Sequence, residues 1–303
     1  MRKYFGTDGI RRIANIELSP ELVYKVAKAG AYVLSKHTDK APTILIGRDT
    51  RLSGTLIESA MVAGFLSYGA NVKLLGVMPT PAVAYLTRKL NADASVVISA
   101  SHNTFEFNGI KYFSNKGMKI PDELEEEIEE VMESGKLDEL TAVKDKIGVS
   151  EVRTDLLDEY VLNVLKNSGW SDGRKQDITQ WIQILTEEGY IVNEYAKSIL
   201  SELGDLQVRV SSDKNHLGGT MHFNPVNAAS GEYDRMEIFN QASNEELFPI
   251  GECYDWVIYV SDSKKVYLGD WMSLSIAGDT IEDFLNNIFN PQFQLKEIYT
   301  NKN

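Results

Sequence analysis

Ala94-Ser95-Val96-Val97-Ile98-Ser99-Ala100-Ser101-His102-Asn103 is an apolar run that breaks off into a polar loop. Ala94–Ala100 reads as an apolar strand. In open α/β sheets, ligands gather beyond the carboxyl ends of such strands, which is where Ser101 falls. Three readings of Ser101 stand at this point: a nucleophile, a phosphate carrier, or an ordinary turn serine, since Ser and Asn favour turns. A hydrolase elbow is excluded because G-x-S-x-G is absent here. His102, as the adjacent residue, is poorly placed to be the base for Ser101.

Outward from this strand, helical and strand patterns alternate. Ser19 before Pro20 reads as the cap and first turn of a helix whose apolar face carries Leu22, Val26, Ala29, Val33 and Leu34. Thr43–Gly47 reads as a short buried strand, and Ser53–Tyr68 as a helix closed by Gly69. Asn71–Val77 is a strand, Pro81–Leu90 a helix, and Gly109–Phe113 a further strand. Pro121–Ser134 is a strongly acidic helix whose charges read as a solvated face. Short links between these elements imply an α/β/α domain on a mostly parallel sheet.

Near residue 155 the pattern changes, and a domain boundary is expected there, giving 1–155 and 156–303. Helices are expected at Leu156–Lys166, Asp177–Glu188 and Glu194–Leu203. Strand-like runs follow at Leu206–Val210, Thr220–Phe223, Trp256–Val260 and Lys265–Leu268, then a helix capped by Thr280. Helices, an antiparallel meander and a last helix make this half α+β. Phe248-Pro249-Ile250-Gly251 reads as an apolar turn. Trp170 and Trp256 read as core. Trp271 with Tyr267 could anchor a partner, and Asp255, Asp262 and Asp270 could form an acidic set facing a basic one. His216 and His222 lack metal-ligand spacing.

The chain has 303 residues and a formal net charge of −13. That balance argues against a nucleic-acid partner, which requires clustered cations. Cys253 is the one cysteine, so no internal disulfide can form. No apolar stretch approaches the ~20 residues that span a bilayer, and MRKYFGTDGI lacks the apolar core of a signal peptide. A cytoplasmic protein without a membrane partner is expected.

Phe5-Gly6-Thr7-Asp8-Gly9-Ile10-Arg11, then Gly47-Arg48-Asp49-Thr50-Arg51-Leu52-Ser53-Gly54, Pro79-Thr80-Pro81, Ile98–Asn103 and Phe107-Asn108-Gly109-Ile110-Lys111 follow in order. Together they resemble the first domain of the α-D-phosphohexomutases, closest to the phosphoglucosamine mutases. The resemblance implies that Ser101 carries a phosphoryl group which passes to a hexosamine phosphate and returns at another carbon. It implies that the Ser101 phosphate helps ligate Mg²⁺, that His102 and Lys111 act catalytically, and that Arg11 and Asn103 bind phosphate. Phosphoryl transfer needs positioning and compensation of charge on the equatorial oxygens, which these residue types supply. Thr104 stands where the family has proline, so a looser serine loop is expected. Arg12 stands where it has glycine. The D-G-D-x-D-R carboxylates, the sugar-recognition segment and the R-P-S-G-T-E-type phosphate loop have no counterpart here. Mutase turnover by this chain alone is therefore not expected.

In the second half, Gly169-Trp170, Gly173-Arg174, Leu203-Gly204-Asp205, Phe248-Pro249-Ile250-Gly251-Glu252 and Ile276-Ala277-Gly278-Asp279 occur in an order similar to the SUKH superfamily, third subgroup. That resemblance covers roughly 157–290 and implies an immunity protein that binds and blocks a cognate toxin domain.

Overall fold

The computed structural model describes residues 3–36, 38–210 and 219–301, so His216 lies outside the described residues. The chain divides into two units, Met1–Tyr160 and Val161–Asn303. The first contains β1 (Ile10–Ile13), α1 (Pro20–Leu34), β2 (Thr43–Arg48), α2 (Gly54–Tyr68), β3 (Asn71–Val77), α3 (Thr80–Lys89), β4 (Ala94–Ile98), β5 (Phe107–Ser114), α4 (Asp122–Glu133) and β6 (Ser150–Val152). Their sheet has the order β1-β5-β4-β2-β3-β6. β4, β2, β3 and β6 pair in parallel, while β5 runs antiparallel to both β4 and β1. This is the mostly parallel α/β/α domain that the alternating pattern implied.

Every residue of β4 is buried, including Ser95, whose hydroxyl accepts a hydrogen bond from Thr87 Oγ1 at 2.6 Å. Ile44, Ile46, Val96 and Ile98 share one core with α1, α2 and α4. α3 lies over the opposite face, where Gly47 leaves room for Val83: a Cβ at Gly47 would meet Val83 Cγ2 at 2.4 Å. Helices α1 and α2 approach closely at Gly64, where a Cβ would sit 2.5 Å from the Tyr24 carbonyl oxygen. Ser19 caps α1 by accepting the Leu22 N–H at 3.3 Å.

Register then assembles one end of this sheet. Ile98 pairs with Arg48 and with Ile110, Val97 with Lys111, and Arg11 with Gly109. The Asp49–Ser53 turn, the Ser99–Asn103 loop, Arg11 and Lys111 thus come together at the carboxyl ends of β2 and β4.

The acidic helix α4 is not a wholly solvated face. It buries Glu125, Ile128, Glu129, Val131 and Met132. Glu129 accepts the backbone N–H groups of Lys3 (2.6 Å), Tyr4 (2.7 Å) and Phe5 (2.7 Å). A carboxylate taking three amide donors is a tether for the segment leading to Gly6-Thr7-Asp8.

The remaining elements are α5 (Leu157–Asn167), α6 (Thr179–Glu188), α7 (Glu194–Leu203), β7 (Gln207–Val210), β8 (Gly219–His222), α8 (Pro225–Ala229), α9 (Met236–Ser243), β9 (Phe248–Cys253), β10 (Trp256–Val260), β11 (Val266–Gly269), β12 (Ser273–Gly278), α10 (Ile281–Phe289) and β13 (Lys296–Thr300). Strands β13-β12-β11-β10-β9-β8-β7 form one sheet in which every pair is antiparallel. Thr280 caps α10 as expected, accepting the Asp283 N–H.

Phe248–Gly251 is not a turn but the first part of β9, buried throughout and paired with β10, while β8 pairs with the end of the strand at Glu252 and Cys253. Proline is admitted because the register with β10 slips between Ile258 and Tyr259, where Pro249 pairs. An irregularity removes the demand for the missing N–H. Gly251 lets β8 pass close by, since a Cβ there would lie 2.3 Å from the His222 carbonyl oxygen.

Candidate functional site

Ser101 adopts φ of +52°, a left-handed conformation that costs a serine free energy unless its surroundings hold it. Its N–H donates to Ser99 Oγ at 3.0 Å, and Ser99 Oγ donates to Asp49 Oδ2 at 2.8 Å. Arg51 lies behind the loop with a side chain only 5% exposed. Its Nε donates to Asp49 Oδ2 at 3.1 Å. Nη1 donates to the carbonyls of Thr104 (2.7 Å) and Phe107 (3.0 Å), and Nη2 to those of Ser101 (2.9 Å) and Asn103 (2.8 Å). The loop that Thr104 was expected to loosen is therefore tied at four carbonyls.

Of the expected site residues, Arg11 and Asn103 meet directly, with Nη1 donating to Asn103 Oδ1 at 3.2 Å. Arg11 Nη2 also pairs with Asp8 Oδ2 at 2.6 Å, and Lys111 Nζ pairs with that same oxygen. Burial pushes the Asp8 carboxyl up, but the Lys111 ammonium and Arg11 guanidinium outweigh it and hold the group below its ordinary range. Asp8 thus gathers the two cations expected to meet phosphate. His102 is exposed and its Nδ1 lies 3.5 Å from Ser101 Oγ, at the limit of a hydrogen bond. Beside this cluster, a cavity of about 420 Å³ is lined by Lys3–Gly9, Arg11 and Arg12. Arg12 donates to the Lys3 carbonyl at 2.7 Å.

Asp8, Asp49 and Arg51 were not singled out from sequence. Their motifs were visible, but which side chain bridges which cation, and which carbonyls one guanidinium can reach, depends on strand register.

Among the described residues, no three His, Cys, Asp or Glu side chains come together to hold a metal ion. Asp8 is engaged by Arg11 and Lys111, and Asp49 by Arg51 and Ser99. A hard cation such as Mg²⁺ needs free oxygen ligands, so these residues do not by themselves fit it.

In the second unit, Tyr267 is buried and donates its hydroxyl to Glu245 at 2.9 Å, which removes it from any contact surface. Trp271 is 73% exposed, with the Arg235 guanidinium 3.8 Å from its ring centroid. Trp170 and Trp256 are half-buried rather than core. Asp255 and Asp270 fall at one edge of the β10–β11 hairpin and Asp262 at the other, so the three carboxylates do not form one patch. Asp270 is also spent within its own turn, accepting the N–H groups of Met272 and Ser273.

The serine loop, the Arg-Asp turn behind it and the Asp8 cluster all lie within the stretch matched by one family model. Residues 2–139 match phosphoglucomutase/phosphomannomutase, alpha/beta/alpha domain I. Residues 157–291 match the SUKH-3 immunity protein family. Phosphoglucosamine mutase of Ruminiclostridium cellulolyticum is 52% identical over 161 residues, covering 53% of this chain and 36% of that protein. Its counterpart in Clostridium kluyveri is 58% identical over 148 residues, covering 49% of this chain and 33% of that protein. The chain thus spans about a third of the length of these curated relatives. A putative phosphomannomutase from Thermus thermophilus aligns with a TM-score of 0.46 and 26% identity, covering 56% of this chain and 39% of that one. The N-terminal part is accordingly phosphoglucosamine-mutase-like and the C-terminal part SUKH-3-like. Among the described residues, no helix is long and apolar enough to cross a membrane.

Proposed function

We propose that this protein is a bimodular binding protein. Residues 156–303 recognise and neutralise a bacterial toxin domain, while residues 1–155 carry a phosphohexomutase-type serine loop that does not turn over hexosamine phosphate unaided. One observation carries the reading: the match to SUKH-3 immunity proteins runs through nearly the whole second unit, whereas the mutase match stops at the first domain. Trp271, exposed and braced by Arg235, is the anchor best suited to a protein partner. A compartment without disulfides, the cytoplasm, fits the lone buried Cys253. Co-expression of the full chain with a panel of bacterial toxin domains tests the reading. Rescue of growth together with a co-purifying one-to-one complex supports it, and failure across the panel counts against it.

A second reading is favoured by the convergence of Arg11, Asn103, Asp8 and Lys111 beside Ser101. In it, Ser101 is the phosphate carrier of a phosphoglucosamine-mutase-type phosphotransferase, with His102 and Lys111 handling protons and Arg11 and Asn103 holding phosphate. In the uptake step, the bond from phosphorus to a sugar oxygen of a hexose bisphosphate breaks as the bond to Ser101 Oγ forms. The serine proton ends on the sugar oxygen. Mg²⁺, bound in part by the serine phosphate, would compensate charge only if further carboxylates were supplied from outside the residues described.

A further inference from the structure

We propose that Arg51 is the positioning residue that fixes the backbone presenting Ser101, in the role the missing proline at Thr104 would have shared. The inference rests on the reading of Ser101 as a phosphate carrier, and it adds what holds that carrier in place.

A guanidinium has five N–H donors in a planar fork. At Arg51 all five are used, one on Asp49 and four on the carbonyls of Ser101, Asn103, Thr104 and Phe107. These carbonyls bracket the loop from the serine to the first residue of β5. The fork itself is fixed, because Asp49 Oδ1 accepts the Arg51 backbone N–H at 3.0 Å. Asp49 Oδ2 also accepts Ser99 Oγ, which in turn accepts the Ser101 N–H. Ser101 is therefore gripped at its N–H through Asp49 and Ser99, and at its C=O by Arg51. This double hold sustains its positive φ. Proline stiffens a loop by restricting one φ, whereas Arg51 does so by binding carbonyls across seven positions, Ser101 to Phe107. Lysine cannot substitute, since three donors on one ammonium cannot span four carbonyls and a carboxylate.

The test compares full-length wild type with Arg51→Lys, Arg51→Met and Gly64→Ala, the last being a comparably destabilised control at the α1–α2 contact. Amide exchange is read at Ser101, Asn103 and Phe107, whose N–H groups bond within the loop. Phosphate uptake from a hexose 1,6-bisphosphate with Mg²⁺ is read by intact mass. Both Arg51 variants should speed exchange at the three loop amides by at least about tenfold while exchange in α1 stays near wild type. Gly64→Ala should do the reverse. Uptake onto Ser101 should fall on the order of a hundredfold in Arg51→Lys, the scale of a misplaced reacting group. Wild-type loop exchange in Arg51→Lys, or equal loop loosening in Gly64→Ala, would overturn the proposal. Absence of uptake by wild type would sink the phosphate-carrier reading instead, and the exchange comparison would still decide whether Arg51 holds the loop.

Discussion

Replacing Glu129 removes a single carboxylate on which three backbone amides depend, and its cost can be worked from the structure. Glu129 is 8% exposed and accepts from Lys3, Tyr4 and Phe5 at 2.6–2.7 Å. Leaving a buried donor unsatisfied costs about 1–3 kcal/mol, towards the upper end where a charged acceptor is lost. The Phe5 amide is buried and bears the full penalty, whereas the part-buried Lys3 and Tyr4 amides recover part of theirs from water. Glu129→Ala should therefore cost about 4 kcal/mol, a large share of a typical ~5–15 kcal/mol stability. Glu129→Gln keeps an oxygen for Tyr4 and Phe5 but turns an NH₂ towards the Lys3 N–H, and should cost about 1–2 kcal/mol. For a domain of this size each kcal/mol lowers Tm by roughly 2–4 °C, so alanine should lower it by about 8–16 °C and glutamine by a few degrees. Far-UV ellipticity reads the loss, and amide exchange at Lys3–Phe5 locates it. Tryptophan fluorescence is the control, because Trp170, Trp181, Trp256 and Trp271 all lie in Val161–Asn303. An alanine variant that melts like wild type, or a glutamine variant that loses as much as alanine, would refute the tether.

Glu245 sets a pH dependence in the second unit. Burial pushes its carboxyl up, but hydrogen bonds from Ser261, Ser263, Tyr267 and Lys265 win and hold it at about 2. A depressed folded pKa stabilises fully above the ordinary 4.5, and the contribution drains away as pH falls towards about 2. Urea midpoints across that range should fall in wild type and stay flatter in Glu245→Gln. Gly64→Ala should destabilise the first unit by about 1–3 kcal/mol, because the new methyl would lie 2.5 Å from the Tyr24 carbonyl and 2.8 Å from Ala27 Cβ; calorimetry reads it. Trp271→Ala should cost under about 1 kcal/mol of stability yet weaken the toxin complex by more than about tenfold, measured by titration calorimetry.

The sheet of the first unit was legible because its chemistry is local. The apolar run at Ala94 and the caps at Ser19 and Gly69 each act within a few residues of themselves. β1 and β6 escaped notice since short, half-exposed or exposed strands carry little periodic signal. Phe248–Gly251 misled because proline and glycine punctuate turns in most settings, and only the slipped register with β10 makes the segment a strand. Glu129 misled in another way. Its neighbours Glu126, Glu127 and Glu130 gave an acidic run, and nothing local marks the one carboxylate that turns inward to amides over 120 residues away. For the site, the motifs pointed to Ser101, Arg11 and Lys111, but the bridging by Asp8 and the grip of Arg51 belong to tertiary geometry.

The most direct measurement is steady-state conversion of glucosamine 6-phosphate by the full chain, with Mg²⁺ and a hexose bisphosphate activator present. The binding-protein account predicts no rate above the Ser101→Ala background. Turnover of about 1 s⁻¹ or more, in the ordinary enzymatic range and abolished by Ser101→Ala, would contradict it.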